Sequence, residues 1–152
     1  MKKTPYMQRL EESLRSSKFV AGGFLGSDNR DLSEIIDRDM AVVSGKGYTV
    51  HELSERMAEI TEQAKVGLGT WVQIDEKQQA RVEEAKGLII CPWPHPARFD
   101  KRVTILQNTE DGREIVWSDL SIHLIAEHGF FEGKGTSFRI EPSYLIEMLF
   151  GG

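Results

Sequence analysis

The stretch that decides the fold is VTILQNTEDGREIVWSDLSIHLIAEHG, residues 103–129. Its first six residues and the run REIVW have the period-two pattern of β-strands. The connection between them contains Asp111-Gly112, a pair that favours a hairpin turn. Ser118 then precedes a run with helical spacing, and Gly129 follows that run as a natural terminator. The stretch therefore predicts a hairpin that leads directly into a capped helix.

The N-terminal part of the chain shows the spacing of short amphipathic helices. Thr4 and Pro5 predict the start of a first helix, because threonine caps helices and proline is tolerated in the first turn. Asp28 or Asn29 is expected to cap a second helix, which Gly45 ends. The segment between these two helices is apolar and rich in glycine, and it predicts an extended piece and a loop.

A third helix carries the clearest start signal in the chain. Thr49 and Glu52 fit the capping box, in which each side chain accepts a hydrogen bond from the other residue's backbone N–H group. An apolar stripe with spacing three and four follows the box, and Gly67 is expected to end the helix.

The pattern changes to period two after the third helix. Residues 70–75 and 79–91 predict two strands, the second with a bulge or turn near Gly87. Near the end of the chain, Pro142 predicts the start of a last helix with an apolar face. These elements predict an α+β fold, with N-terminal helices followed by a small antiparallel sheet and C-terminal helices.

The length of 152 residues suits a single domain. A helical half, residues 1–68, and a sheet–helix half, residues 69–152, are each small, so we expect them to share one core. Hydrophobic residues make up 39% and charged residues 28% of the chain, as in globular proteins. The net charge of −5 argues against nucleic acid and anionic membranes as general partners.

The sequence also bears on the compartment. No apolar run approaches the roughly 20 residues that a membrane-spanning helix needs. The N-terminus lacks the apolar core of a signal peptide. The single cysteine has no partner for an internal disulfide, and a reducing cytoplasm is the expected compartment.

Four potential metal ligands lie in two close pairs. Cys91 and His95 belong to the turn CPWPH after a strand, whereas His123 and His128 lie on the helix after the hairpin. Zinc prefers four tetrahedral sulfur and imidazole ligands, which proteins usually supply as two such pairs. One thiolate and three neutral imidazoles would give a complex of charge +1 with no open position. The pattern therefore predicts a structural zinc site.

The spacing of the helical pair weighs against this prediction. On an ideal helix, residues five apart diverge by roughly 140°. His123 and His128 are thus expected to converge only if the last turn loosens, which Gly129 after His128 would favour. The alternative is a buried free cysteine together with a histidine that interacts with the helix dipole.

Two further interpretations remain open. Cys91 with His95 or His128 could form a nucleophile–base pair, and Glu127 could act as an acid or base, as in a hydrolase. In a third interpretation, the metal-free protein binds a partner or a second copy of itself.

The loop HGFFEGKGTSFR, residues 128–139, is the segment that this third interpretation would use. Lys134, Phe138 and Arg139 could bind an anion or a partner there. Burial of the phenylalanines in the core is the competing explanation.

Two segments carry a resemblance to known proteins: CPWPH, and DLSIHLIAEHGFFEGKGTSFRIEP at 119–142. Through them the sequence resembles small bacterial proteins that carry no assigned function. This resemblance spans most of the chain and implies no activity or site residues. The leading hypothesis is a small cytoplasmic binding or regulatory module, stabilised by zinc, that is not an enzyme.

Overall fold

The computed structural model describes residues 4–16, 23–95 and 97–151. These residues form five helices and a four-stranded antiparallel sheet, which confirms the predicted α+β class. The elements are α1 (Pro5–Arg15), α2 (Leu32–Gly45), α3 (Val50–Lys65), β1 (Val72–Asp75), β2 (Gln78–Ile90), β3 (Arg98–Asn108), β4 (Glu114–Ser118), α4 (Asp119–His128) and α5 (Pro142–Phe150). The extended piece predicted near residue 20 lies outside the described residues.

The predicted helix starts of α1 and α3 are confirmed. The Thr4 hydroxyl accepts a hydrogen bond from the Met7 N–H group at 3.1 Å. In α3, the Glu52 N–H group donates to the Thr49 hydroxyl at 3.2 Å, and the Thr49 N–H group donates to the Glu52 carboxylate at 3.1 Å. These bonds satisfy N–H groups that have no partner within the helix.

The predicted start of α2 is wrong. The helix begins after Asp31, and its first N–H group, that of Leu32, donates to the Glu11 carboxylate of α1 at 2.7 Å. Asp28 is not available for capping, because its carboxylate accepts hydrogen bonds from the guanidinium of Arg30 at 2.6 and 2.9 Å. A side chain from another helix therefore caps the start of α2 in place of a residue close in the chain.

The strands follow the order β1-β2-β3-β4 but differ greatly in length. β1 pairs with β2 only at residues 78–80, and β4 pairs with β3 only at residues 103–107. Residues 84–90 of β2 and 98–102 of β3 extend further and pair with each other. We call this two-stranded extension the arm, and residues 91–97 at its tip the knuckle.

Two details of the arm bear on the sequence predictions. The register shifts between Ala85 and Leu88, and Gly87 has a φ of 108°, which confirms the predicted bulge. β3 begins at Arg98, five residues before the predicted start at Val103. The residues from 98 to 102 lack a clear alternation, and their strand conformation comes from pairing with β2.

Two clusters of buried apolar side chains organise the molecule. The base cluster joins α3 and α5 to the four-stranded part of the sheet, and includes Met57, Ile60, Leu106, Trp117, Phe131 and Leu145. The arm cluster joins α1, α2 and α4 to the knuckle, and includes Leu10, Leu14, Leu32, Cys91, Leu124 and Phe130. The base cluster thus draws on both halves of the chain.

The neighbouring residues Phe130 and Phe131 enter different clusters, so the segment after α4 lies at their junction. Among the described helices, none combines the length and the apolar character needed to cross a bilayer.

Candidate metal centre

The knuckle places Cys91 and His95 on the same side of the chain. The Cys91 N–H group donates to the carbonyl of Ala97 at 3.1 Å, which closes the end of the arm. Within this closure, the His95 N–H group donates to the Trp93 carbonyl at 2.8 Å. Proline at position 92 restricts φ in this turn. As a result, Cys91 Sγ lies 3.3 Å from His95 Nε2.

Helix α4 begins and ends as the sequence predicts. The Ser121 N–H group donates to the Ser118 hydroxyl at 3.0 Å, and the Ser118 N–H group donates to the Ser121 hydroxyl at 3.1 Å. At the other end, Gly129 has a φ of 60° and donates its N–H group to the carbonyl of Ile125 at 3.1 Å. Both ends of the helix that carries the two histidines are therefore fixed.

The loosening expected for the last turn of α4 does not occur. His128 remains in the helix, and the Phe130 N–H group bonds to the Leu124 carbonyl at 3.0 Å in a regular terminating turn. The rings of His123 and His128 nevertheless meet edge to face, with centroids 5.3 Å apart. The two rings therefore meet through the length of their side chains, and the helix backbone does not unwind as the sequence analysis expected.

The four side chains bring their ligand atoms together. All four atoms lie within 4.8 Å of one another. His128 Nε2 is 3.6 Å from Cys91 Sγ and 3.0 Å from His95 Nε2. His123 Nε2 is 3.4 Å from His95 Nε2. The group of Cys91, His95, His123 and His128 could therefore hold a metal ion.

Four of the six distances between the ligand atoms are close to the edges of a zinc tetrahedron. Bonds of about 2.0–2.1 Å to nitrogen and about 2.3 Å to sulfur imply edges of about 3.3 Å between nitrogens and about 3.5 Å between sulfur and nitrogen. The nitrogen–nitrogen distances are 3.0 and 3.4 Å, and the sulfur–nitrogen distances are 3.3 and 3.6 Å. Cys91, His95 and His128 are thus close to the spacing that an ion needs, and the ligand atom of His123 lies within 4.8 Å of each of them.

Burial sets the protonation of the group. It lowers the pKa of His128 to about 4, and it also lowers the pKa of His123. Both rings are therefore neutral near pH 7, which is the form that binds metals. Burial raises the pKa of the Cys91 thiol, so a bound metal would have to displace its proton.

Aromatic side chains surround the imidazoles. Trp93 stacks on the His128 ring, with centroids 4.1 Å apart and planes 9° from parallel. Phe99 lies against the His123 ring at 4.7 Å. Trp93 also meets Phe130 of the arm cluster edge to face at 5.3 Å. These contacts hold two of the rings in place and restrict the approach of water.

A recess of about 300 Å³ opens beside His123, between α3, α4 and β3. Arg102 lies in its wall and donates to the Asp119 carboxylate at 2.9 Å and to Glu84 at 2.8 Å. The other Asp119 oxygen is buried without a hydrogen-bond partner, and burial raises the pKa of this carboxyl. Glu127 lines the outer part of the recess.

The loop residues singled out in the sequence are not part of this group. Arg139 is buried and paired with Asp39, with one hydrogen bond at 3.0 Å, and it also donates to the carbonyl of Glu132 at 2.8 Å. The guanidinium donors of Arg139 therefore form hydrogen bonds that stabilise the fold. Lys134 is exposed and Phe138 is half-buried, so a role in binding stays a prediction for these two residues.

Sequence reasoning missed two neighbours of the group. Phe99 and Arg102 lie in the part of β3 that the pattern did not predict as a strand. Residues three apart on a regular strand face opposite sides of the sheet, so strand periodicity alone would not have placed both of them beside α4. The fourth histidine, His51, is exposed and pairs with Glu55 at 3.0 Å, within helix α3. No protein-family model, curated protein or solved structure matches the chain.

Proposed function

We propose that the protein is a small binding or regulatory module in which Cys91, His95, His123 and His128 hold a structural zinc ion. The observation that carries this proposal is the convergence of one sulfur and three imidazole nitrogens within 4.8 Å, with four of their six distances close to the edges of a zinc tetrahedron. Two of these ligands come from the knuckle and two from α4. The ion would therefore fasten the tip of the arm to the helix.

The chemistry of the ligands supports zinc. Zinc accepts mixed sulfur and nitrogen ligands without a geometric preference of its own, and closed four-ligand sites are typical of structural zinc. One thiolate and three neutral imidazoles leave a net charge of +1 on the complex. The stacked ring of Trp93 and the tilted ring of Phe99 lie beside a weakly charged centre of this kind.

The wider role is argued from the surface and the composition. The net charge of −5 disfavours nucleic acid and anionic membranes as partners. The single cysteine suits the reducing cytoplasm, where a thiolate ligand persists. We therefore infer a cytoplasmic module whose partner is another protein or a second copy of the chain.

Metal content and melting test this proposal together. Elemental analysis should find one zinc ion per chain in the wild type and in His51→Ala, and less than a tenth of that in Cys91→Ala and His123→Ala. Zinc at about a thousand times its dissociation constant stabilises a protein by about 4 kcal/mol. For a chain of this size that corresponds to about 8–16 °C in melting temperature.

His51→Ala is the matched control, because it removes the histidine that lies outside the group. Cobalt-substituted protein should show the absorption of a tetrahedral ion with a thiolate ligand. Wild-type protein that binds neither zinc nor cobalt would contradict the proposal. It would favour the metal-free interaction module instead.

The recess beside His123 favours a second candidate, a metal- or Cys/His-dependent hydrolase with its site at the same group. The recess reaches a ligand ring, and Glu127 lines it as an available acid or base. A panel of chromogenic ester, phosphoester and peptide substrates tests this candidate. The hydrolase candidate requires turnover of at least one substrate. Glu127→Gln should reduce that turnover at least tenfold while the zinc content stays at one ion per chain. No turnover on the panel would count against it.

A further inference from the structure

We propose that metal binding controls the position of the arm and, through the arm cluster, the packing of α1, so that the metal acts as a switch for the N-terminal helix. This inference rests on the proposed function, because it assigns a regulatory consequence to the same four ligands. It goes beyond a zinc ion that only stabilises the fold. It requires that part of the molecule respond to the metal while the rest does not.

The arm has little support of its own. Its strands pair with each other and, within the described residues, with no further strand. Residues 83–88 of β2 are all exposed, so this part of the arm buries few side chains. A two-stranded hairpin is at most marginally stable in water. The position of the arm must therefore come from contacts with other elements.

Beyond the apolar arm cluster, the arm and knuckle meet α4 mainly through the ligand rings and one ion pair. Trp93 stacks on His128, and Phe99 packs on His123. The ion pair of Arg102 with Asp119 is the third prominent contact. Two of these three contacts thus involve a ring that the metal would hold. Fixing the rings fixes the surface on which the arm rests.

The ligand group is poorly matched without an ion. His95 Nε2 lies 3.0 Å from His128 Nε2 and 3.4 Å from His123 Nε2. A neutral imidazole nitrogen has either one hydrogen or one lone pair, so His95 can make only one of these contacts as a good hydrogen bond. The other contact must share the same hydrogen or lone pair, so it is weaker. An ion at the centre would resolve this mismatch, and its loss would favour separation of the knuckle from α4.

Helix α1 is attached through the same cluster. Its buried apolar residues, Leu10 and Leu14, both belong to the arm cluster, in which Cys91 is 2% exposed. Its polar contacts run to α2 and the segment before it: the Glu11 carboxylate accepts from the Leu32 N–H group at 2.7 Å, and Arg15 donates to the Asp28 carbonyl at 2.6 Å. Since the apolar face of α1 shares a cluster with the knuckle, movement of the arm removes part of the surface that holds α1.

The base of the molecule lies outside this chain of contacts. The base cluster includes no described residue of α1 or of the knuckle. It packs α3 and α5 on the part of the sheet where four strands pair. Metal release should therefore loosen the arm and α1 while the base stays folded.

Hydrogen–deuterium exchange of the full chain tests the switch. Exchange is compared for zinc-loaded protein, protein treated with a chelator, and chelated protein reloaded with zinc. Chelation should speed exchange at least tenfold in the arm, the knuckle and α1, with less than a twofold change in α3 and β4. Reloading should restore the slow exchange. His51→Ala should behave as the wild type does, and Cys91→Ala should resemble the chelated protein with or without zinc.

The outcomes separate the two proposals. Native mass spectrometry of the same samples reports whether zinc binds. If no zinc binds, both the proposed function and the switch fail. If zinc binds but exchange changes everywhere or nowhere, or in the arm without α1, the switch alone is overturned and a purely structural site stands.

Discussion

The base and the arm of this protein use opposite means to hold their strands. In the base, four strands lie under α3 and α5, and large side chains such as Trp117 and Met57 are completely buried. In the arm, two strands reach away from that core, and aromatic–imidazole contacts, one ion pair and the candidate metal site hold them to α4. The base is thus held mainly by apolar burial, whereas the arm combines the apolar contacts of the arm cluster with polar contacts and the candidate metal site.

This difference sets the expected response to mutation. Apolar burial is lost in proportion to the volume removed, and the loss unfolds the whole base. The contacts of the arm are few and directional, so removing one should act locally. The following predictions test this contrast, beginning with the largest effect.

Trp117→Ala should destabilise the base by about 3–5 kcal/mol. The Trp117 side chain is 0% exposed, and its indole N–H group donates to Thr61 at 3.0 Å, which in turn bonds to Thr104 at 2.7 Å. The substitution leaves a cavity and removes one of the two hydrogen-bond partners of the Thr61 hydroxyl. Urea unfolding in the presence of zinc measures the loss.

Trp93→Ala is the matched control in the knuckle. Its cost should be smaller, and it should weaken zinc affinity, because the stacking partner of His128 is lost. A Trp117→Ala protein that loses less than about 1 kcal/mol, below the usual range for a buried tryptophan, would contradict the assignment of the base as the main core.

Glu132 should make the junction of the two clusters sensitive to pH. Burial raises the pKa of its carboxyl to about 7, from an ordinary value of 4.5, although Thr136 and Arg139 act in the opposite direction. Between these values the folded protein holds a proton that the unfolded chain releases. The contribution to stability is complete below the lower value and is lost as pH rises through about 7.

The expected loss is about 3 kcal/mol, at about 1.4 kcal/mol for each unit of pKa. Glu132→Gln keeps the side-chain shape and removes the titration. Its stability relative to the wild type should therefore rise by that amount between pH 4.5 and pH 8, as measured by urea unfolding across this range. If the difference in unfolding free energy between the two proteins does not change with pH, the Glu132 carboxyl titrates near its ordinary pKa.

Arg102→Met should cost about 1–2 kcal/mol, less than the 3–5 kcal/mol typical of breaking a fully buried pair. The Arg102 side chain is 15% exposed and joins the arm to Asp119 of α4. Its removal leaves that carboxylate partly buried without its cation. Chemical unfolding gives the total cost, and hydrogen exchange shows whether the arm is loosened first.

Arg113→Met is the matched control for Arg102. The Arg113 side chain is 40% exposed and pairs with Glu147 at 2.8 Å. Exposed pairs of this kind contribute about 0–1 kcal/mol. Equal costs for the two variants would mean that the ion pair does not position the arm.

Leu88→Ala should have the smallest effect, below about 0.5 kcal/mol. Leu88 is 49% exposed in the arm, whereas Leu106, at 0% exposure, faces the base cluster. Leu106→Ala should cost about 2–5 kcal/mol by the same measurement. A large effect at Leu88 would indicate that another surface covers the arm.

The elements with local signals were predictable from the sequence. The capping box of Thr49, the cap at Ser118 and the bulge at Gly87 each involve residues close in the chain. Their hydrogen bonds or backbone angles need no information from elsewhere. Each of these elements, in the base and in the arm alike, could for this reason be anticipated in outline.

What could not be predicted depends on contacts between distant residues. Glu11 reaches the start of α2, and Arg139 pairs with Asp39 across 100 positions of the chain. The residues of β3 nearest the knuckle become a strand because β2 lies beside them. The four candidate ligands were recognisable by type and order, but the angle between His123 and His128 depended on side-chain torsions that spacing does not encode.

The bulge at Gly87 has a consequence for how the protein behaves at high concentration. β2 beyond Ala80 has, within the described residues, one edge without a neighbouring strand. Open edges of this kind invite other chains to add to the sheet and begin aggregation. A break in the regular edge, flanked by Glu84 and Lys86, opposes such addition. This hairpin thus carries, within its own sequence, a feature that opposes the addition of another chain along its open edge.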